Sequence, residues 1–210
     1  MSNTEKRKAQ TKLLVLGAVM TALVIILQTI GSVTTFFGPF SSAVALIPIV
    51  IGASLCGSFV GAWLGFVFGM VVLMTGGAAL FWAFDIPGTI ITVLLKGTAC
   101  GLVSAIVYKA LSRFNDYIAA LGAAIICPIT NTAIFLLGCY TFFMPYANEI
   151  AKQLGMDRAG MALFWALAMG NFLLEILSCV VLSPVVVKIL NIEKKAKCSS
   201  VKHPPDGPPI

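Results

Sequence analysis

The chain has 210 residues, of which 59% are hydrophobic and 10% are charged, and its mean hydropathy is +1.00. This composition excludes an ordinary soluble domain and indicates an integral membrane protein. The net charge of +6 does not indicate nucleic-acid binding, because the basic residues lie at the ends of apolar segments, where membrane topology and anionic lipid account for them. The six cysteines show no paired spacing, so neither a zinc site nor a disulfide framework is predicted.

The chain begins with a polar head, residues 1–12, that carries four basic residues. No small-residue cleavage site follows the first apolar run, so we interpret the head as cytoplasmic rather than as a signal peptide. The first predicted span covers residues 13 to about 31 and carries Ala18 and Ala22 one helical turn apart. This small-residue face can receive another helix.

Four glycines recur at every fourth position of a later apolar segment and form what we call the glycine ridge: Gly57, Gly61, Gly65 and Gly69. In lipid a helix forms whatever its glycine content, because its backbone groups need internal partners, and the glycines then let a neighbouring backbone approach. The ridge predicts a central packing helix. A second span, about residues 43–56, precedes it and turns tightly into it; it is expected to be short and kinked at Pro48.

The rest of the chain contains three further predicted spans. An ordered loop over residues 75–87, rich in glycine and aromatic residues, comes first. The spans follow at about residues 88–111, 117–143 and 161–190, and residues 192–210 form a cytoplasmic tail that is expected to be disordered. The sequence therefore predicts an all-α fold, an integral membrane bundle of six transmembrane helices, as one domain over residues 13–191.

The distribution of Lys and Arg predicts the orientation of this bundle. The two termini and the turn at residues 109–113 hold eleven of them, the other loops hold two, and Lys96 lies within a span. Because cytoplasmic loops carry an excess of Lys and Arg, both termini are predicted to be cytoplasmic. The segments 32–42, 75–87 and 144–160 then face outward.

Polar side chains inside the spans are candidate functional residues, because they are costly in lipid. They are Lys96, Asn131, Asn171 and Glu175. At a rise of about 1.5 Å per residue, the first three fall in the outer halves of their helices, and Glu175 lies one turn below Asn171. We expect a polar pocket there, covered by Phe81 and Trp82 of the loop. Alternatively, Lys96 and Glu175 simply neutralise each other between helices, and the two interpretations are compatible.

The sequence offers little for catalysis. It has no phosphate-binding loop for ATP hydrolysis, its single histidine lies in the tail, and its spans hold no cysteine cluster or paired acidic motif. We therefore predict no enzymatic activity, no cofactor and no metal site. Two other classes stay open. One is a self-contained secondary carrier or channel, which would need an ion-coupling site or a continuous polar path, and the other is an accessory subunit that binds no solute.

Over most of residues 8–190 the chain resembles the substrate-binding S components of energy-coupling factor (ECF) vitamin transporters. The basic head precedes a first helix with the motif Ala-x-x-x-Ala, here Ala18 and Ala22. The segment Ile47-Pro-Ile-Val-Ile-Gly52 leads into a glycine-rich third helix, and the fifth helix contains Pro128-Ile-Thr-Asn-Thr-Ala-Ile-Phe-Leu-Leu-Gly138. The position of the alanine motif in a six-span chain of this size strengthens the resemblance.

The resemblance implies a role in the bacterial plasma membrane as a subunit of an ABC-type importer. An S component captures a vitamin or related micronutrient outside and docks through the first-helix alanines on a transmembrane coupling protein that carries two cytoplasmic ATPase subunits. It then topples within the membrane to release its cargo. The family builds its substrate site from outward loops and the outer halves of the fourth to sixth helices, where Lys96, Asn131 and Asn171 fall.

The substrate is predicted from the charge of the candidate site. A buried Lys96 can pair with a carboxylate, so pantothenate or another small anionic vitamin is expected. Riboflavin is disfavoured, because Ala43-Val-Ala-Leu-Ile-Pro48 stands where riboflavin-binding members have an acidic segment. A neutral ligand stays open if Glu175 already satisfies the lysine.

Overall fold

The computed structural model describes residues 3–34, 41–82, 85–144, 172–173, 175–181, 184 and 187–188. The regular structure of this part of the chain is helical, which confirms the predicted all-α class there. The helices are α1 (Asn3–Thr34), α2 (Ser41–Cys56), α3 (Ser58–Met74), α4 (Ala79–Trp82), α5 (Ile86–Leu111) and α6 (Asp116–Gly138), and a π-helical turn (Cys139–Phe143) continues α6. Residues 175–181 are helical as well.

Three helical stretches are long and apolar enough to cross a membrane: Gln10–Ser32, Ile86–Leu111 and Asp116–Phe143. Two apolar helices are shorter. Of these, α3 has 17 residues and is about 25 Å long, slightly less than the roughly 30 Å thickness of a hydrocarbon core. A membrane protein is therefore indicated. The count of six spans and the cytoplasmic termini stay predictions, and most of the sixth predicted span lies outside the described residues.

Helices begin earlier than predicted, and for two of them the local sequence gives the reason. The basic head is helical from Asn3, because its Lys, Arg, Gln, Glu and Ala residues are good helix formers joined to an apolar helix. The fourth predicted span begins at Ile86, where Asp85 caps α5 by accepting a hydrogen bond from the Gly88 N–H at 3.1 Å. Pro87 fits this first turn, since no intrahelical bond needs its missing N–H.

The described part of the predicted loop between α3 and α5 contains one helical turn, α4, which the prediction omitted. The second span is short, as expected, and α2 continues as one helix through Pro48. Membrane helices tolerate proline where neighbouring groups satisfy the freed carbonyl. At the end of α2, Gly57 has φ 89°, in the left-handed region that favours glycine, and α3 starts with the next residue.

The glycine ridge packs against α5, as predicted for a central helix, and α3 also contacts α1 and α2. Gly61, Gly65 and Gly69 are buried, whereas Gly57 is exposed and serves the turn instead. A methyl group on Gly61 would lie 2.6 Å from the Gly101 carbonyl oxygen, and one on Gly65 would collide with the Gly97 carbonyl. The two backbones therefore touch directly, and three glycines, not four, form the contact.

The contact between α5 and α6 fixes the two helices that carry the candidate site. Four buried alanines of α6 let the helices approach: Ala119, Ala120, Ala123 and Ala124. The hydroxyl of Ser104 donates to the Ala123 carbonyl at 3.1 Å. The other end of this helix pair holds the polar side chains described next.

Candidate functional site

A buried side-chain contact joins Asn131 of α6 to Glu175. The Nδ2 atom of Asn131 donates to both carboxylate oxygens of Glu175, each at 3.1 Å. The exposed fraction is 2% for Asn131 and 0% for Glu175. Because a buried carboxylate is costly without partners, the amide is a main source of its stabilisation.

Lys96 of α5 belongs to the same group of residues. Its Nζ atom lies 5.1 Å from the centroid of the Phe135 ring, in a cation–π contact, and Phe135 is one turn beyond Asn131 on α6. Glu175 is within electrostatic range of Lys96, as are the thiols of Cys100 and Cys139. We call Lys96, Asn131, Phe135 and Glu175 the polar cluster. It brings together three of the four polar residues predicted from the sequence.

An aromatic group adjoins the polar cluster. The Phe81 ring of α4 lies 5.3 Å from that of Phe135, edge to face, and 5.1 Å from that of Phe143 in the π-helical turn. The hydroxyl of Thr89 donates to the Phe81 carbonyl at 3.0 Å, which fastens α4 to the first turn of α5. Phe81 thus lies beside the polar cluster, and its role as a cover of the site stays a prediction. Trp82, the other predicted loop residue, is exposed.

Two buried polar atoms of this region have no hydrogen-bond partner among the described residues: Asn131 Oδ1 and Thr92 Oγ1. Thr92 lies one turn before Lys96 on α5, is 3% exposed and packs against the backbone of Gly138, where the π-helical turn begins. An unpaired buried polar atom needs an explanation, such as a bound water or ion or a functional role, and π-helical turns are frequent at functional sites. The region can therefore still accept and donate hydrogen bonds.

Taken together, these side chains suit the binding of a small polar molecule better than catalysis. Lys96 offers a charge and hydrogen-bond donors, Asn131 an acceptor, Thr92 a hydroxyl, and the phenylalanines apolar faces. Among the described residues no group of three or more His, Cys, Asp or Glu side chains could hold a metal ion. Asn171, the fourth predicted polar residue, lies outside the described residues.

A family model described as ECF transporter, substrate-specific component, matches residues 12–187. The chain belongs to this family. The match confirms the resemblance drawn from the sequence and identifies a membrane transport subunit, not an enzyme. We found no significant match among curated proteins or among solved structures.

In this S component the predicted docking alanines lie on the surface. Ala18 and Ala22 are both exposed on α1. Ala18 also lines a groove of about 670 Å³ between α1 and α3, together with exposed apolar side chains that include Leu14, Phe59 and Trp63. Their role in docking stays a prediction.

Sequence reasoning missed three residues of the S component's candidate site: Thr92, Phe135 and Phe143. The sequence does indicate two of them. Thr92 is four residues before Lys96, and Phe135 is four residues after Asn131, so helical periodicity places each on the same helix face as a predicted site residue. Phe143 had no such signal, because its contact with Phe81 depends on where α4 packs.

Proposed function

We propose that this S component captures a small anionic micronutrient, with pantothenate as the leading candidate. The observation that carries the proposal is the position of Lys96, on the ring of Phe135 and beside the Asn131–Glu175 pair. Because Asn131 already donates to both oxygens of Glu175, that carboxylate does not depend on Lys96 alone. The lysine can then donate to a ligand carboxylate.

Pantothenate also matches the uncharged groups of the site. Its hydroxyl and amide groups can pair with Asn131 Oδ1 and Thr92 Oγ1, which have no partner among the described residues. Its apolar part can pack on Phe81 and Phe135. A neutral ligand is the alternative if Glu175 and Lys96 neutralise each other.

The proposed topology has six spans in the bacterial plasma membrane, with both termini in the cytoplasm. The polar cluster would then lie in the outer half of the bundle, and α4 would be part of an outward cover. Residue Asn171 is proposed to complete the site. The basic turn after α5 supports this orientation, since Lys109 and Arg113 lie at the opposite end of that helix from Asp85.

The proposed partners are a transmembrane coupling protein and two cytoplasmic ATPase subunits. Ala18 and Ala22 would form the docking face, because small exposed side chains allow a partner helix to approach closely. The apolar groove beside Ala18 supports this role. ATP hydrolysis by the partners would supply the energy that this chain cannot.

The proposal is tested by measuring binding and uptake separately. Calorimetry of the purified chain against a panel of vitamins should show binding of an anionic member, and uptake of that vitamin by cells should require the ATPase module. Uptake that persists without the module would favour a self-contained carrier. Failure of the whole panel to bind would favour an accessory subunit.

A further inference from the structure

A groove of about 500 Å³ lies at the end of α5, beside the start of α3. The described residues that line it are two cations, a serine and apolar side chains, with no carboxylate among them: Ser58, Ile106, Lys109, Ala110, Arg113 and Phe114. Lys109 is 13 residues beyond Lys96, which corresponds to about 20 Å along the helix axis. The groove is therefore separate from the polar cluster.

The two cations line the same groove. Lys109 is in the last turn of α5, Arg113 is in the turn that follows the helix, and both are exposed. A guanidinium binds two oxygens of a phosphate at once, and an ammonium adds a compact charge. The hydroxyl of Ser58 provides a further donor at the same groove. This set of donors suits a phosphate diester.

Beyond the groove, exposed apolar side chains follow the side of α5 that faces away from the protein. Ile106 is 52% exposed and Leu102, one turn further from Lys109, is 38% exposed. Since α5 is long and apolar enough to cross a membrane, these side chains face lipid. Leu102 lies about 10 Å from Lys109 along the helix, within the length of an acyl chain.

We infer that this groove binds an anionic phospholipid. Its phosphate lies between Lys109 and Arg113, and one acyl chain follows Ile106 and Leu102. Free phosphate would use only the cations, and an acidic protein segment would leave the apolar side of the groove unused. The inference does not depend on the proposed vitamin.

The test uses the purified full chain and native mass spectrometry with phosphatidylglycerol and phosphatidylcholine of identical acyl chains. We expect one phosphatidylglycerol to be retained in preference to phosphatidylcholine. The double variant Lys109→Gln/Arg113→Gln should retain at least about tenfold less phosphatidylglycerol, since each basic residue contributes appreciably to the binding of anionic lipid. The matched control, Arg7→Gln/Lys12→Gln, removes the same charge from exposed positions of α1 and should retain it like the wild type.

Competition separates lipid from free phosphate. Neither inorganic phosphate nor deacylated glycerophosphoglycerol at millimolar concentration should displace the lipid, and displacement by either at that level would overturn the lipid assignment. Equal loss in both double variants would show a general charge effect and would also overturn it. Equal retention of the two lipids would overturn the assignment as well, and it is the result expected if the groove binds an acidic partner protein instead.

Discussion

The side-chain amide of Asn131 donates to both carboxylate oxygens of Glu175 at 3.1 Å, and this contact joins α6 to the helical residues 175–181. Both residues are almost fully buried. Because of this pairing, the buried carboxylate of Glu175 does not depend on Lys96 alone. Because the Asn131 amide donates to this carboxylate, the Lys96 ammonium on the Phe135 ring can contact a ligand in addition to Glu175.

Lys96→Met keeps the length of the side chain and removes its charge. If Lys96 meets a ligand carboxylate, affinity for an anionic vitamin should fall by roughly a hundredfold or more, since truncating one partner of a buried charge pair costs about 2–5 kcal/mol. The melting temperature should change little. Calorimetry and thermal unfolding of the same preparation measure both effects.

The competing interpretation gives the opposite pair of results. If Lys96 only neutralises Glu175, Lys96→Met should destabilise the protein, and adding Glu175→Gln should restore stability while affinity stays intact. Wild-type affinity in Lys96→Met would therefore refute the charge contact with a ligand.

Asn131→Leu removes both hydrogen bonds to Glu175 and leaves its carboxylate buried. We expect a loss of about 1–3 kcal/mol in the free energy of unfolding, the usual cost of removing one partner from a buried hydrogen bond. Thr130→Val is the matched control, because Thr130 donates to the Ile126 carbonyl of its own helix, at 2.9 Å, and not to Glu175. Denaturant unfolding of both variants in the same detergent measures the difference. Equal stability of the two would show that the amide contributes nothing.

Thr92→Val replaces a hydroxyl that has no partner among the described residues by a methyl group of the same size. Without ligand, the variant should be as stable as the wild type. Affinity for the vitamin should fall roughly three- to tenfold if the ligand uses the hydroxyl, since a neutral hydrogen bond contributes about 0.5–1.5 kcal/mol. Unchanged affinity would contradict the proposed hydrogen bond between Thr92 and the ligand.

Thr89→Val is the control for that experiment. Its hydroxyl donates to the carbonyls of Phe81 and Asp85, at 3.0 and 2.6 Å. Thr89→Val should therefore lower the stability of the protein even without ligand, because α4 loses a contact with α5. Thermal unfolding without ligand distinguishes the two threonines.

Gly65→Ala tests the contact between α3 and α5. The added methyl group would collide with the Gly97 carbonyl, so the two backbones must move apart, at a cost of about 1–3 kcal/mol. Gly17→Ala is the control, because its methyl group would lie 3.6 Å from a Val60 side-chain carbon, an ordinary contact. We expect a lower melting temperature for the first variant only. A wild-type melting temperature in Gly65→Ala would mean that the helices do not pack this closely.

Sequence patterns predicted several features that are set within one helix and missed some that depend on the contact between two. The glycines at every fourth position marked the face of α3, and the turn at Gly57 followed from the same residues. The partner of Asn131 was not predicted, because two acceptable contacts for Glu175, with Lys96 or with Asn131, look alike in a sequence. The course of α2 through Pro48 depends on neighbouring helices, which no local pattern describes.

The pair Ala18→Trp/Ala22→Trp tests the proposed docking face. Both alanines are exposed on α1, so the isolated chain should fold and bind its vitamin normally, while the bulky indoles should keep the coupling protein from approaching. Co-purification with the coupling protein and ATPases should fall to background. The matched control is Val19→Trp/Leu23→Trp, which puts two indoles at exposed positions of the same helix, each turned about 100° away. Docking through Ala18 and Ala22 requires that the control still assembles. Assembly that persists in the alanine variant, or that fails equally in both, would assign the docking face to another surface of the chain.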